Sequence, residues 1–225
     1  MARFPTIDAR RASHPAAPEA PLNCDLCPRL ATFLAHHRTL APDWHNAPVS
    51  SFGSNDARLL IVGLAPGLNG ANRTGRPFTG DYAGDLLYAT LLEFGFATGV
   101  FAARADDGLQ LADCMITNAV RCVPPENKPH PIEIKTCRRF LAARIINLPR
   151  LASIVVLGRI AHQSTIAALG VKQKEAPFAH GAMHTIDGAP TVFDSYHCSR
   201  YNTNTGVLTR EMFRAVFAKV RKKLG

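Results

Sequence analysis

Residues 57–81 read ARLLIVGLAPGLNGANRTGRPFTGD. The first part, ARLLIVGLA (57–65), is a short run of Leu, Ile and Val that ends in Gly and Pro. Such a run is too short for a helix and too apolar for an exposed strand, so it reads as a strand buried on both faces. The run gives way to a loop with five glycines between positions 63 and 81, one aromatic at Phe78 and one carboxylate at Asp81. It lacks the Lys-Ser/Thr ending of a P-loop and the Gly-x-Gly-x-x-Gly spacing of a dinucleotide site. Glycine has another use here: without a Cβ, backbone and a flat ligand can approach closely.

The strand-then-helix pattern recurs downstream. Apolar residues at helical spacing fill 84–96, a second strand is predicted over 111–120, and a helix over 130–147 with Pro131 in its first turn. A third strand is predicted over 151–158, a short helix over 159–170 and a fourth strand over 189–197. The last helix gathers Met212, Phe213, Val216, Phe217, Val220 and Leu224 on one face. This alternation predicts an α/β fold, a parallel sheet covered on both faces. Ligands in such folds bind outside the carboxyl ends of the strands, which is where the glycine-rich loop must lie. No internal repeat or long linker divides the chain, so residues 22–225 are expected to form one domain. Residues 1–21, rich in Ala, Pro and charge, read as a disordered lead-in. They lack the apolar centre of a secretory signal, and no stretch of 18 apolar residues is present. A cytoplasmic monomer without a membrane span is expected.

Lys and Arg number 26 against 17 Asp and Glu, a net charge of +9. A solvated basic surface would explain this, and so would a polyanionic partner such as nucleic acid.

Six cysteines are present. Cys24 and Cys27 form a Cys-x2-Cys pair, and Cys122 and Cys137 flank a Pro-rich connection and the start of a helix. Four sulfurs around one centre suit tetrahedral zinc or an iron–sulfur cluster, and the spacing does not choose between them. The alternative is buried thiols or disulfides; an intracellular chain disfavours disulfides, and so early a Cys-x2-Cys reads more naturally as a metal clip. Cys114, inside a predicted strand, reads as core.

Two further loops come after later strands. Asn118 ends the second, and its amide carries a donor and an acceptor suited to an amide-like edge such as that of uracil; a turn or cap role is the plain alternative. His197 ends the fourth, where it can donate to a developing anion or be a structural strand-end histidine. Phe78 offers a stacking face or is core. The remaining histidines share no spacing and read as surface or local structure. A stacker, an amide reader, an anion donor and one acid on a basic protein suit a flipped base better than a peptide, a sugar or a nucleotide cofactor.

The motifs GLAPGLNGANRTGRPFTGD, ITNAVRCVPPENKP and HCSRYNTNTG, together with CDLCPRL, resemble the uracil-DNA glycosylase superfamily, and most closely its iron–sulfur-containing family 5. The resemblance spans nearly the whole chain. It implies a three-layer α/β/α sandwich with a central four-stranded parallel sheet, and a [4Fe–4S] cluster held by Cys24, Cys27, Cys122 and Cys137. It implies that Gly63 and Ala65 floor a base pocket, that Phe78 stacks on the extruded base, that Asn118 reads the uracil edge and that His197 bonds the leaving base. The acidic function falls to Asp81, since Ala65 occupies the place where other branches carry Asp or Asn. Arg200, Tyr201, Asn202 and Thr203 are expected to enter the DNA and hold the gap. The implied activity is hydrolysis of the N-glycosidic bond of uracil in DNA, with hypoxanthine or xanthine as further substrates. Neither motif contains a lysine, so no Schiff-base strand cleavage is expected. In one departure, Cys198 stands where the second motif usually has proline. That frees a φ the ring would fix and is expected to put an oxidisable thiol at the border of the site. The rival reading is a four-cysteine nucleic-acid binding module without chemistry. A zinc-dependent base deaminase lacks its His-x-Glu and Pro-Cys-x-x-Cys signature here.

Overall fold

A computed structural model of the protein describes residues 17–225. The first helix, α1 (Pro28–Leu40), precedes a short strand β1 (Phe52–Gly53) and the first central strand β2 (Leu59–Gly63). Then come α2 (Ala71–Thr74), α3 (Tyr82–Glu93), a ribbon of β3 (Ala97–Thr98) and β4 (Gln110–Leu111), and β5 (Cys114–Asn118). The second half runs α4 (Pro131–Ile146), β6 (Ser153–Leu157), α5 (Arg159–Ala168), β7 (Met183–His184), β8 (Thr191–Ser195), α6 (Arg200–Asn204) and α7 (Arg210–Leu224).

Four strands, β2, β5, β6 and β8, are buried at every position, as strands covered on both faces must be. They pair in parallel in the order β5-β2-β6-β8, which is the expected four-stranded core. The sheet is larger than expected by two strands of two residues. β1 pairs antiparallel with β5, and β7 with β8, making six in all. Such short pieces carry no readable alternation, and they close the edges of the parallel core.

Alternate residues of each central strand face opposite layers. Leu59, Ile61, Ile116, Val155 and Phe193 pack with Leu87 and Leu91 of α3 and Phe213 and Phe217 of α7. Leu60, Val62, Met115, Ile154 and Val156 pack with Leu141 and Ile145 of α4 and Ile166 of α5. The register aligns the carboxyl ends, setting Gly63 opposite Asn118 and Leu157 opposite Ser195.

The expected lead-in 1–21 divides. Residues 1–16 lie outside the described residues, but residues 17–21 are built into the fold. Glu19 accepts from Arg121 at 3.0 Å and from the Ser51 amide at 3.1 Å, and it also pairs with Arg144. Arg121 is 1% exposed and Arg144 6%, so their charges need this partner. Burial works to raise the Glu19 pKa, but Arg121, Ser51 and Arg144 together hold it below the usual range. No helix is long and apolar enough to cross a membrane among the described residues. Replacing Glu19 by Ala should lower the unfolding free energy by roughly 2–3 kcal/mol in urea titration, a buried-pair loss discounted for the partial exposure of the carboxylate. A dispensable lead-in would leave stability unchanged.

Candidate active site

A cavity of about 420 Å³ opens at the carboxyl ends of β2 and β5. Its wall contains Ala65, Phe78, Asp81, Asn118 and His197, so the loops after the first, second and fourth central strands do converge. The loop after β2 supplies most of the floor, from Leu64 to Ala71. Ala65 contributes only a methyl group to this surface and can neither give nor take a proton.

Gly63 decides how closely the wall is packed. A Cβ at this position would lie 2.4 Å from Asn118 Oδ1 and 2.6 Å from Phe78 Cζ. Phe78 has φ of 53°, a left-handed conformation that costs an unbranched aromatic roughly 1–3 kcal/mol. Its carbonyl presses on Gly84 of α3, where a Cβ would sit 1.9 Å from that oxygen. Asn118 is 3% exposed, and its Oδ1 is buried without a protein partner. A buried amide oxygen left open in this way favours a ligand that donates to it.

Asp81 stands immediately before α3 and lines the same cavity. Its Oδ1 is also buried without a partner. Burial pushes its pKa up; the Ala83 and Gly84 amides oppose this, though they fall short of full hydrogen-bond geometry, and Asp85 adds to the rise. Gly70 lets the loop pass this carboxylate, since a Cβ there would meet Asp81 Oδ2 at 2.5 Å. His197 faces Phe78 with ring centroids 6.0 Å apart and planes inclined by 29°. Burial pushes its pKa down to about 4, so the ring is neutral at physiological pH.

The segment after His197 differs in part from expectation. Tyr201 is 74% exposed, and the Arg200 guanidinium lies 5.2 Å from the centroid of Tyr82. Asn202 turns inward, and its Nδ2 donates to the His197 carbonyl at 2.8 Å. The Thr203 hydroxyl donates to the Ser199 carbonyl at 3.2 Å. The thiol of Cys198 does not border the cavity. It is fully buried, donates to the Ala83 carbonyl at 3.4 Å and has its pKa pushed up by burial. Such a thiol is inert.

The four predicted ligand cysteines belong to one cluster. Cys122 and Cys137 are buried with Leu30, Leu34, Val120 and Phe140, and Cys24 and Cys27 pack against it. Arg29 of α1 pairs with Glu133 of α4 at 2.7 Å, which ties the helix after Cys27 to the helix bearing Cys137. All six cysteines are free.

Some site features escaped the sequence reading. Asn127 and Tyr82 line the cavity. Asn127, with φ of 57°, comes soon after a Pro-Pro pair, a turn signal that could have marked it. His162 and His184 are not surface residues: both bond Asp194, at 2.7 and 2.9 Å, three positions before His197. Spacing could not show that cluster, because three separate elements bring it together.

Residues 50–221 match the model of the uracil DNA glycosylase superfamily. The chain belongs to this superfamily. It is 43% identical over 208 residues to a type-5 uracil-DNA glycosylase of Thermus thermophilus, covering 90% of this chain and 94% of that protein. A type-5 enzyme of Mycobacterium leprae is 40% identical over 212 residues, covering 90% of this chain and 92% of its own. A type-4 uracil-DNA glycosylase of Saccharolobus solfataricus is 31% identical over 170 residues, 73% of this chain and 72% of that one. The wall formed by Gly63, Phe78 and Asn118 has no spare volume. Gly63→Ala should therefore lower base excision about 100-fold by displacing Phe78 or Asn118 about 1 Å, while the thermal midpoint shifts by only a few degrees. Unchanged excision rates in this variant would show that the close approach is dispensable.

Proposed function

We propose that the protein hydrolyses the N-glycosidic bond of deoxyuridine in DNA, releasing uracil and leaving an abasic site. The carrying observation is the buried, unpartnered Asn118 Oδ1 beside the Phe78 ring. With its amide oxygen accepting from N3–H and its NH2 donating to O4, Asn118 is complementary to uracil, whereas cytosine presents the opposite pattern. Phe78 supplies the stacking face for the extruded base.

As the bond breaks, the sugar gains positive character and uracil leaves as an anion. Neutral His197 donates its one ring N–H to that anion. Asp81 orients the attacking water and opposes the sugar's charge; the N1–C1′ bond breaks, the water's oxygen joins C1′, and one of its protons passes by way of the Asp81 carboxylate to solvent, where the uracil anion is protonated. The cavity also admits hypoxanthine or xanthine as slower substrates. Arg200 and Tyr201 face the DNA, and Asn202 and Thr203 hold the segment from which they project. The reading includes a protein that acts on DNA in the cytoplasm as a monomer.

Cys24, Cys27, Cys122 and Cys137 would hold a [4Fe–4S] cluster. Cys24 and Cys27 pack against the buried Cys122 and Cys137, which supports a centre held by four thiolates, and the motifs in which these cysteines sit favour iron over a single zinc ion. These four cysteines would then tie α1 to α4, a structural role for the cluster, in the part of the chain that also carries Arg29, Lys135, Arg138 and Arg139. Anaerobically purified protein should absorb near roughly 400 nm, as cysteine-ligated iron–sulfur centres do. The band should vanish in Cys27→Ser; a colourless wild type containing zinc would refute the assignment.

The proposed roles fix the pH dependence of the reaction. Asp81 must be ionised, and burial, which raises its pKa, moves the acid limb upward from that of an exposed aspartate. Uracil release should therefore fall on acidification with a midpoint above that of an exposed aspartate, and Asp81→Asn should abolish the limb along with most activity. Between about pH 6 and 8 the rate should show no histidine inflection, because His197 is already neutral. His197→Ala should cost on the order of 100–1000-fold in excision. Release of no uracil from duplex DNA by the cluster-loaded wild type would overturn the proposal.

A further inference from the structure

Phe78 holds a left-handed backbone that an aromatic residue rarely adopts, so something outside the cavity must keep it there. The segment before it carries Arg76, which is 5% exposed and lines no part of the cavity. Both terminal nitrogens of Arg76 donate to Asp107, each at 2.8 Å. The Asp107 side chain is 1% exposed. The guanidinium also lies 5.3, 5.5 and 5.8 Å from the ring centroids of Phe52, Tyr88 and Phe101.

This contact is linked to the Phe78 backbone on both sides. Arg76 Nε donates to Thr79 Oγ1 at 2.8 Å, spanning Phe78. The Tyr88 hydroxyl donates to the Pro77 carbonyl at 2.7 Å. Asp107 comes from the exposed loop between β3 and β4, and it folds that loop around Arg76 by accepting from the Ala102 amide at 2.9 Å and the Leu109 amide at 3.1 Å. The Arg76 bonds, ahead of the opposing effect of burial, hold the Asp107 carboxyl well below the usual range.

We propose that Arg76 and Asp107 are positioning residues that hold Phe78 in its stacking conformation, with the β3–β4 loop as their support. The inference rests on the glycosylase reading above. A lysine could keep the charge but not the two-pronged bond or the contact with three rings.

Single-turnover uracil excision from duplex DNA tests this in the cluster-loaded protein, with affinity for the same duplex lacking uracil measured alongside. Arg76→Lys and Asp107→Asn should each slow excision about tenfold. Neither should change affinity for undamaged duplex by more than about twofold, since both side chains are buried away from the DNA face. Phe78→Leu should slow excision too, and adding Arg76→Lys to it should cost less than about a further twofold, because the lock would have no ring to hold. If Arg76→Lys does not fold, Asp107→Asn replaces it in the same cycle. An undiminished tenfold loss in the Phe78→Leu background, or a parallel loss of DNA affinity, would overturn the positioning role alone. A wild type that releases no uracil would overturn the glycosylase reading and this inference with it.

Discussion

The absence of a Cβ at Gly63 is the constraint on which the site depends, because Asn118 Oδ1 and the edge of Phe78 both occupy the space a side chain would fill. Two levels of structure place these groups around it. Parallel pairing sets Gly63 directly opposite Asn118, so the sheet fixes one of them. The returning loop and α3 fix the other, with Gly84 opening room for the Phe78 carbonyl. A one-residue slip between β2 and β5 would turn Asn118 to the wrong face and lose the recognition edge along with the core. Fold stability and base recognition therefore rest on one register.

The electrostatics obey a second rule. Charges in the interior are paired, as Arg76 is with Asp107, and Arg121 and Arg144 are with Glu19. The ionisable groups of the cavity differ: among the described residues Asp81 has no ion-pair partner and its Oδ1 is buried unbonded, as is the neighbouring Asn118 Oδ1, and burial lowers the pKa of His197. Leaving such groups open costs stability, and it costs less once a ligand supplies the missing donors. A preorganised polar site in a buried wall stabilises a leaving anion better than solvent would, because little reorganisation is needed as charge develops.

The sequence made the repeating layers legible because they depend on local signals. The runs around Leu60, Ile116, Val155 and Val192 are buried strands by composition, and each central strand lies inside the range predicted for it. Phe78, Asp81, Asn118 and His197 were legible as loop residues after strands, and the structure gathers them in one cavity. The features that escaped prediction depend on distant partners. Glu19 looked like part of a solvated tail because its partners Arg121 and Arg144 lie more than 100 positions away. Asp107 sits among Arg104, Asp106 and Gly108 in what reads as an exposed turn, and only the tertiary fold directs its carboxylate inward. Asn202, by contrast, has a near partner: its amide donates to the His197 carbonyl five positions back, while the residue stays partly at the surface.

Cys198 shows how such a partner can replace a local constraint. A proline at this position would fix φ through its ring and hold the backbone after His197 with no outside help. The cysteine leaves that torsion free, but its buried thiol donates to the Ala83 carbonyl in the first turn of α3. From the other side, Asn202 grips the His197 carbonyl and Ser199 caps α6 by accepting from the Asn202 amide. The turn is thus restrained by three side-chain bonds in place of one ring. The bond to α3 has a consequence a proline would not: Ala83 lies two residues beyond Asp81, so the segment presenting His197 is tied to the helix start that presents the carboxylate.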